Sequence, residues 1–158
     1  MLGPKVTKAL FRRKPDNKRI PYAKLVSDQT KLSLIVCYAP TNDAYDTLKD
    51  DFYDNLHSVI DSITLHELIC TASDLNTKVG QDRLCCPEVM GHHGLSTNNK
   101  NEALLVSFAM GNDLLIGGTL FRHKDIHNCT WTSPDGTVKN QIDLFLIRWR
   151  WRTSLKDF

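Results

Sequence analysis

The chain has 158 residues, of which 41% are hydrophobic and 24% charged, and 20 Lys/Arg against 18 Asp/Glu leave it at +2. These proportions exclude a collagenous, low-complexity or strongly disordered chain and suit one globular domain with a real core. The longest apolar run, Leu34 to Ala39, is far short of the roughly 20 residues that span a bilayer, so no membrane partner is expected.

The charge is unevenly spread. Residues 1–31 carry nine Lys/Arg and two Asp/Glu, residues 32–121 carry four and twelve, and residues 139–158 carry five and two. Basic ends are either solvated tails or a phosphate-binding surface. The cysteines (Cys37, Cys70, Cys85, Cys86 and Cys129) are odd in number and form no Cys-x-x-Cys pair. Met1 to Leu10 lacks the apolar stretch of a secretory signal. Reduced thiols in an intracellular chain are therefore expected, with neither a disulfide framework nor a structural zinc.

In chain order, residues 1–19 are basic and broken by Pro4 and Pro15, and read as an irregular segment. Ile20 to Val26 is a short strand with Lys24 inside it. Lys31 to Tyr38 is a stronger one, apolar on both faces through Leu32, Leu34, Ile35 and Val36, and Pro40 ends it. Asn42 is a candidate cap for a helix in which Tyr45, Leu48, Phe52, Leu56, Val59, Ile60 and Ile63 recur at steps of three and four. Its Asp50, Asp51, Asp54 and Asp61 belong to a solvated outer face. Glu67 to Ala72 is a strand that runs into Ser73-Asp74-Leu75-Asn76. Residues 80–99 read as a long loop. A second helix spans Asn99 to Met110, with Gly111 as its stop. Leu114 to Ile116 is a short strand closed by Gly117-Gly118. Cys129 to Thr132 and Val138 to Ile147 are two more, flanking the turn Ser133-Pro134-Asp135-Gly136. Strands and helices alternate and then give way to hairpin-like strands, a mixed α/β layered pattern.

Polar groups interrupt these apolar strands at a few places. Tyr38 closes the first strong strand, Asp74 and Asn76 follow the next, Thr130 and Trp131 lie in a late strand, and Asp143 sits within Gln141 to Ile147. A carboxylate in so apolar a strand is costly unless paired, hydrogen-bonded or functional. Asp74 and Asn76, two apart on an extended backbone, point to one side. That suits one group activating water and another donating to a phosphoryl oxygen, although Asp-x-Asn alone is a weak signal and most often a turn.

Taken together, the segments Val36-Cys37-Tyr38-Ala39-Pro40-Thr41, Ser73-Asp74-Leu75-Asn76, Thr130-Trp131 and Asn140-Gln141-Ile142-Asp143 resemble, in order and spacing, the Tyr-Ala-Pro, Gly-Asp-Phe/Leu-Asn, Thr-Trp and Gln-Ile-Asp motifs of the endonuclease/exonuclease/phosphatase superfamily. Asn76 to Gly80, Gly117 to Phe121, His127 to Gly136 and Trp151 to Leu155 narrow the resemblance to the endonuclease domain of non-LTR, LINE-type retrotransposons. It runs from about residue 20 to the end.

The resemblance implies a four-layer α/β sandwich, two mixed sheets with outer helices, that hydrolyses DNA phosphodiesters with Mg²⁺. By the same resemblance, Asp74 orients or deprotonates the attacking water, and Asn76 and Tyr38 bind the scissile phosphate. Asp143 holds the site floor, Thr130 contacts the DNA backbone, and Trp131 and Asn140 belong to the substrate-binding surface. Asp74 and Asn76 are the metal-side candidates, and a nuclear location would go with such an activity. The sequence departs from the pattern in three ways. No Leu-Gln-Glu-Thr-like segment carrying the metal-binding Glu precedes Tyr38, no Ser-Asp-His carrying the catalytic His follows, and Ser73 replaces a Gly. The expectation is an incomplete sandwich lacking its early strands and last strand, with residues 1–19 a basic segment and residues 20–158 a partial domain. It would be inactive or impaired, with exposed apolar sheet surface and a tendency to aggregate. The alternative is a non-catalytic remnant that binds nucleic acid or protein through its basic ends, where Arg148, Arg150 and Arg152 alternate with Trp149 and Trp151. A phosphatase for small phosphoesters shares the chemistry but not the narrower motifs.

Overall fold

A computed structural model describes residues 10–14, 19–26, 30–80, 86–93, 100–122, 130–137 and 139–155. The elements are β1 (Leu10–Lys14), β2 (Tyr22–Val26), β3 (Lys31–Tyr38), α1 (Asp46–Asp61), β4 (Leu68–Asp74), α2 (Lys100–Gly111), β5 (Leu114–Ile116), β6 (Trp131–Thr132), β7 (Lys139–Asn140) and β8 (Asp143–Arg148), with 3-10 turns at Gly117–Thr119 and Trp149–Ser154. One six-stranded mixed sheet has the order β1-β2-β3-β4-β8-β5, and β6 and β7 form a separate two-stranded ribbon. The β3–β4 pair is parallel and the others are antiparallel.

The α/β expectation is met, whereas two mixed sheets are not: among the described residues there is one large sheet and a ribbon. The segment 1–19 is not irregular throughout, since Leu10–Lys14 pairs with β2. A Lys/Arg-rich stretch of this kind suits an edge strand, where charge discourages further pairing. The single strand expected over Val138 to Ile147 is divided. β7 turns back on β6, and β8 joins the large sheet after a break at Gln141 and Ile142. The Ser133–Gly136 turn is as expected, with Gly136 at φ 74° and its N–H bonded to the Ser133 carbonyl. Helix α1 begins later than Asn42, with Tyr45 in the cap position. Asn42 instead lends its carbonyl oxygen to the buried Lys49 Nζ at 2.8 Å.

Period-two alternation decides what is buried. Ser33, Ile35 and Cys37 of β3, Ile69, Thr71 and Ser73 of β4, and Leu144, Leu146 and Arg148 of β8 are all buried. The apolar ones, Ile35, Cys37, Ile69, Leu144 and Leu146, meet Phe52, Leu56 and Ile60 of α1 and Leu105 and Ala109 of α2 in one core. A chain of ring contacts, Phe52 edge-to-face with Tyr53 and Tyr53 tilted against Phe108, with centroids 5.2 and 5.3 Å apart, joins the two helices. The other sheet face is open over β3 and β4: Val36 is 47% exposed, Tyr38 50%, and Ala72 is also exposed. A valine left in water forgoes roughly 1–2 kcal/mol of burial energy.

Two devices tie the core side together. Arg148, buried in β8, donates to the carbonyls of Thr64 (2.6 Å) and Ile63 (3.3 Å) just beyond α1. Glu67 accepts from Lys24 (3.1 Å), Ser33 (3.0 Å) and Thr64 (3.0 Å). Burial alone would raise the Glu67 carboxyl, but the bonds from Lys24, Ser33 and Thr64 outweigh it and hold the group below its ordinary range. Its contribution is therefore complete above the ordinary value, about pH 4.3, and is lost as pH falls through the lowered one. Glu67→Gln is expected to reduce stability at neutral pH by about 3 kcal/mol and to flatten the acid limb of the stability profile, measured by urea melts from about pH 7 down to about pH 3. A Cβ on Gly91 would lie 2.1 Å from the Thr119 carbonyl oxygen, a backbone atom that cannot swing away. Gly91→Ala should accordingly cost about 2 kcal/mol or more in the same melts.

Candidate active site

The register of three adjacent strands builds the site. Tyr38 is the partner of Asp74 across the parallel β3–β4 pair, and Asp74 is the partner of Asp143 across the antiparallel β4–β8 pair. Three residues far apart in sequence thus form one row at the end of the sheet, on its open face, with neighbouring strands about 4.8 Å apart. They line a groove of about 690 Å³ together with Arg19, Val36 and Phe145. The Arg19 guanidinium lies 5.9 Å from the centre of the Tyr38 ring, and the Tyr38 N–H donates to the Arg19 carbonyl at 3.1 Å.

Asn76 reaches the row by a backbone turn. It has φ 47°, in the left-handed region that Asn tolerates better than most side chains. Its N–H donates to Asp74 Oδ1 at 3.1 Å, and its Nδ2 donates to the Ala39 carbonyl at 2.9 Å. Leu75, Thr77 and Val79 are buried behind it. Asp74 is half-buried. Burial pushes its carboxyl up, the Asn76 N–H draws it back, and the negative charge of Asp143 adds to the upward push. A carboxyl raised in this way is a better proton acceptor than an ordinary aspartate, which is what activation of water requires.

Ser73 points to the opposite, helix-covered face, where its Oγ accepts from Cys37 Sγ at 2.9 Å. Burial, partly offset by that bond, pushes the Cys37 thiol up to about 11. The side chain that stands where the family pattern has glycine is thus absorbed by a neighbouring thiol, and Asp74 keeps its place in the strand.

Thr130 lies against the row in another way. Its Oγ1 accepts from the backbone N–H groups of both Ile142 (3.0 Å) and Asp143 (3.1 Å). Trp131 is 40% exposed on the ribbon. Asn140 pairs with it through the backbone. Of the sequence-derived candidates, Tyr38, Asp74 and Asp143 come together directly. Asn76 does not share an extended backbone with Asp74 as expected, because it turns left-handed, joins the row through its N–H and gives its side chain to the Ala39 carbonyl. Thr130 supports Asp143, and Trp131 and Asn140 belong to the adjoining ribbon. His123, His127 and Cys129 fall outside the described residues. Sequence reasoning missed Asn101 and Glu102, whose side chains hold the 76–80 loop from α2. The available signal was a polar residue, Asn101, on the same helix stripe as Leu105 and Phe108.

The donor chemistry suits a hard cation. Asp74 and Asp143 are neighbouring carboxylates, and Mg²⁺ commonly takes one or two carboxylates and keeps its remaining waters. No cluster of three or more His, Cys, Asp or Glu occurs among the described residues. No helix among them is long and apolar enough to cross a membrane.

No family model matches the chain. Among curated proteins, craniofacial development protein 2 of Bos taurus is 32% identical over 141 residues, which is 89% of this chain and 24% of that protein. Craniofacial development protein 2 of Tragulus javanicus is 33% identical over 126 residues, 80% of this chain and 22% of that protein. The endonuclease domain of TRAS1, a telomere-specific non-LTR retrotransposon, superposes with a TM-score of 0.64 at 12% identity, over 88% of this chain and 56% of that one. A 3′ phosphatase from Neisseria, bound to product DNA hairpin, gives 0.60 at 17% identity, over 90% and 58%. The chain therefore has the endonuclease/exonuclease/phosphatase fold and is a homologue of craniofacial development protein 2, spanning about a quarter of that protein's length.

Proposed function

We propose that the chain is part of a divalent-metal-dependent DNA endonuclease domain that still binds a phosphodiester but is impaired in cleaving it. The observation that carries this reading is the row of Tyr38, Asp74 and Asp143 facing one groove, with the Asn76 N–H bonded to Asp74 at its end. The Tyr38 hydroxyl and the Asn76 amide would donate to non-bridging phosphate oxygens, and Asp74 would orient and deprotonate water. A Mg²⁺ ion held by Asp74 and Asp143, with the amide oxygen of Asn76 beside them, would supply charge stabilisation to the phosphate. Arg19, at the groove wall, would steer the backbone. Thr130 and the exposed Trp131 would meet flanking DNA. A nuclear site of action belongs to the same proposal.

The impairment is proposed of these 158 residues assayed as they stand, among which neither the Glu-bearing nor the His-bearing motif of the family occurs. Loss of one preorganised donor to a developing oxyanion costs about 3–4 kcal/mol in comparable sites, and two absent groups would leave little turnover. A non-catalytic binding remnant is the limiting case of the same reading.

Two assays test it. A labelled DNA hairpin should bind with an affinity that falls steeply with added salt, and Tyr38→Phe should weaken binding several-fold, by about 1 kcal/mol. Supercoiled plasmid with Mg²⁺ should stay essentially intact. Robust nicking that disappears in Asp74→Ala would overturn impairment while keeping the nuclease assignment. Absence of hairpin binding at low salt would overturn the phosphodiester site itself.

A further inference from the structure

We infer that Asn101 is a positioning residue for this site: from the first turn of α2 it ties the Asn76 turn to the end of β3, and so sets the geometry in which Asn76 and Tyr38 meet a phosphodiester. The inference rests on the phosphodiester reading above.

Asn101 is 3% exposed and shares a buried helix stripe with Leu105 and Phe108. Its Nδ2 donates to the Asn76 carbonyl at 3.1 Å and to the Pro40 carbonyl at 3.3 Å. Its Oδ1 is buried with no hydrogen-bond partner among the described residues. A buried amide that leaves its acceptor unmatched is a poor packing choice beside Leu or Met. What this side chain contributes is therefore its pair of N–H donors, and both point at the backbone of the site.

The bonds close a ring. The Asn76 Nδ2 holds the Ala39 carbonyl, the next carbonyl along, that of Pro40, is held by Asn101, and Asn101 returns to the Asn76 carbonyl. The next residue of the helix, Glu102, accepts from the Gly80 N–H at 2.7 Å, so consecutive residues of α2 grip both ends of the 76–80 loop. A left-handed backbone at a non-glycine residue persists only where its surroundings over-determine it. Two constraints come from outside the turn, the bond of Asn76 to the Ala39 carbonyl and that of Asn101 to the Asn76 carbonyl, and Asn101 also holds the neighbouring Pro40 carbonyl. Asn101 does not line the groove; it acts through the Asn76 turn, whose N–H is bonded to Asp74, a residue that does line it.

The test uses the full chain and a fluorescein-labelled DNA hairpin, with Ca²⁺ replacing Mg²⁺ to prevent cleavage. Asn101→Ala should weaken binding about tenfold, the lower end of what loss of a supporting partner costs. In an Asn76→Ala background the same change should have no further effect, because the group it positions is gone. Equal losses in both backgrounds would mean that Asn101 only stabilises the helix, and would overturn the inference. Asn101→Asp, which keeps the shape but removes the donors, should be no better than Asn101→Ala. Hydrogen exchange gives a readout independent of DNA. Asn101→Ala should speed exchange of the Asn76 amide about tenfold while the Leu105 and Phe108 amides hold, and an unchanged Asn76 rate would overturn the clamp. If the unmodified chain fails to bind the hairpin, the phosphodiester reading falls, and the exchange result alone still accepts or rejects the clamp.

Discussion

Everything at this site depends on strand register. In β3, β4 and β8 the side chains alternate between a helix-covered face and an open one, and the pairing fixes which residue stands beside which. A slip of one residue in β4 would send Asp74 into the apolar core and bring Ser73 into the groove. Such a slip is blocked because the same alternation buries Ile69 and Thr71 against the helices. The energy that holds the carboxylates in place is thus spent on the opposite side of the sheet.

Much of this arrangement is legible in the sequence. Apolar runs locate β3 and β5, recurrence at steps of three and four locates α1, an apolar stretch stopped by Gly111 locates α2, and the polar residues in and at the ends of strands locate Tyr38, Asp74 and Asp143. Other features depend on contacts that no local pattern encodes. The division between β7 and β8 comes from a ribbon pairing with β6 and from the hydroxyl of Thr130. The strand at Leu10–Lys14 is charged and carries no hydrophobic alternation, so only its pairing with β2 reveals it. Asn42 has the chemistry of a cap, yet its carbonyl is claimed by Lys49, and the helix starts at Asp46. Asn101 reads from sequence as an ordinary early-helix residue, because its partners lie 25 and 61 positions away.

The substitution at Ser73 shows how a departure from a motif is absorbed. The family pattern places glycine next to the catalytic aspartate, and a side chain there invites displacement of its neighbour. In this chain the added hydroxyl turns inward and meets a thiol whose buried site keeps it protonated. The accommodation is local, within two paired strands, and leaves the opposite face unaltered. Glu67 and Arg148 serve a comparable purpose at larger scale, each binding segments more than thirty residues apart without projecting into the groove.

The single oxygen of Thr130 has a mechanical meaning. It is the fulcrum between the ribbon and the sheet, because two consecutive amides, those of Ile142 and Asp143, hang from it. Ribbon and groove therefore meet at one hydroxyl: the exposed Trp131 follows Thr130 directly in the chain, and the Asp143 carboxylate follows the amide that Thr130 holds.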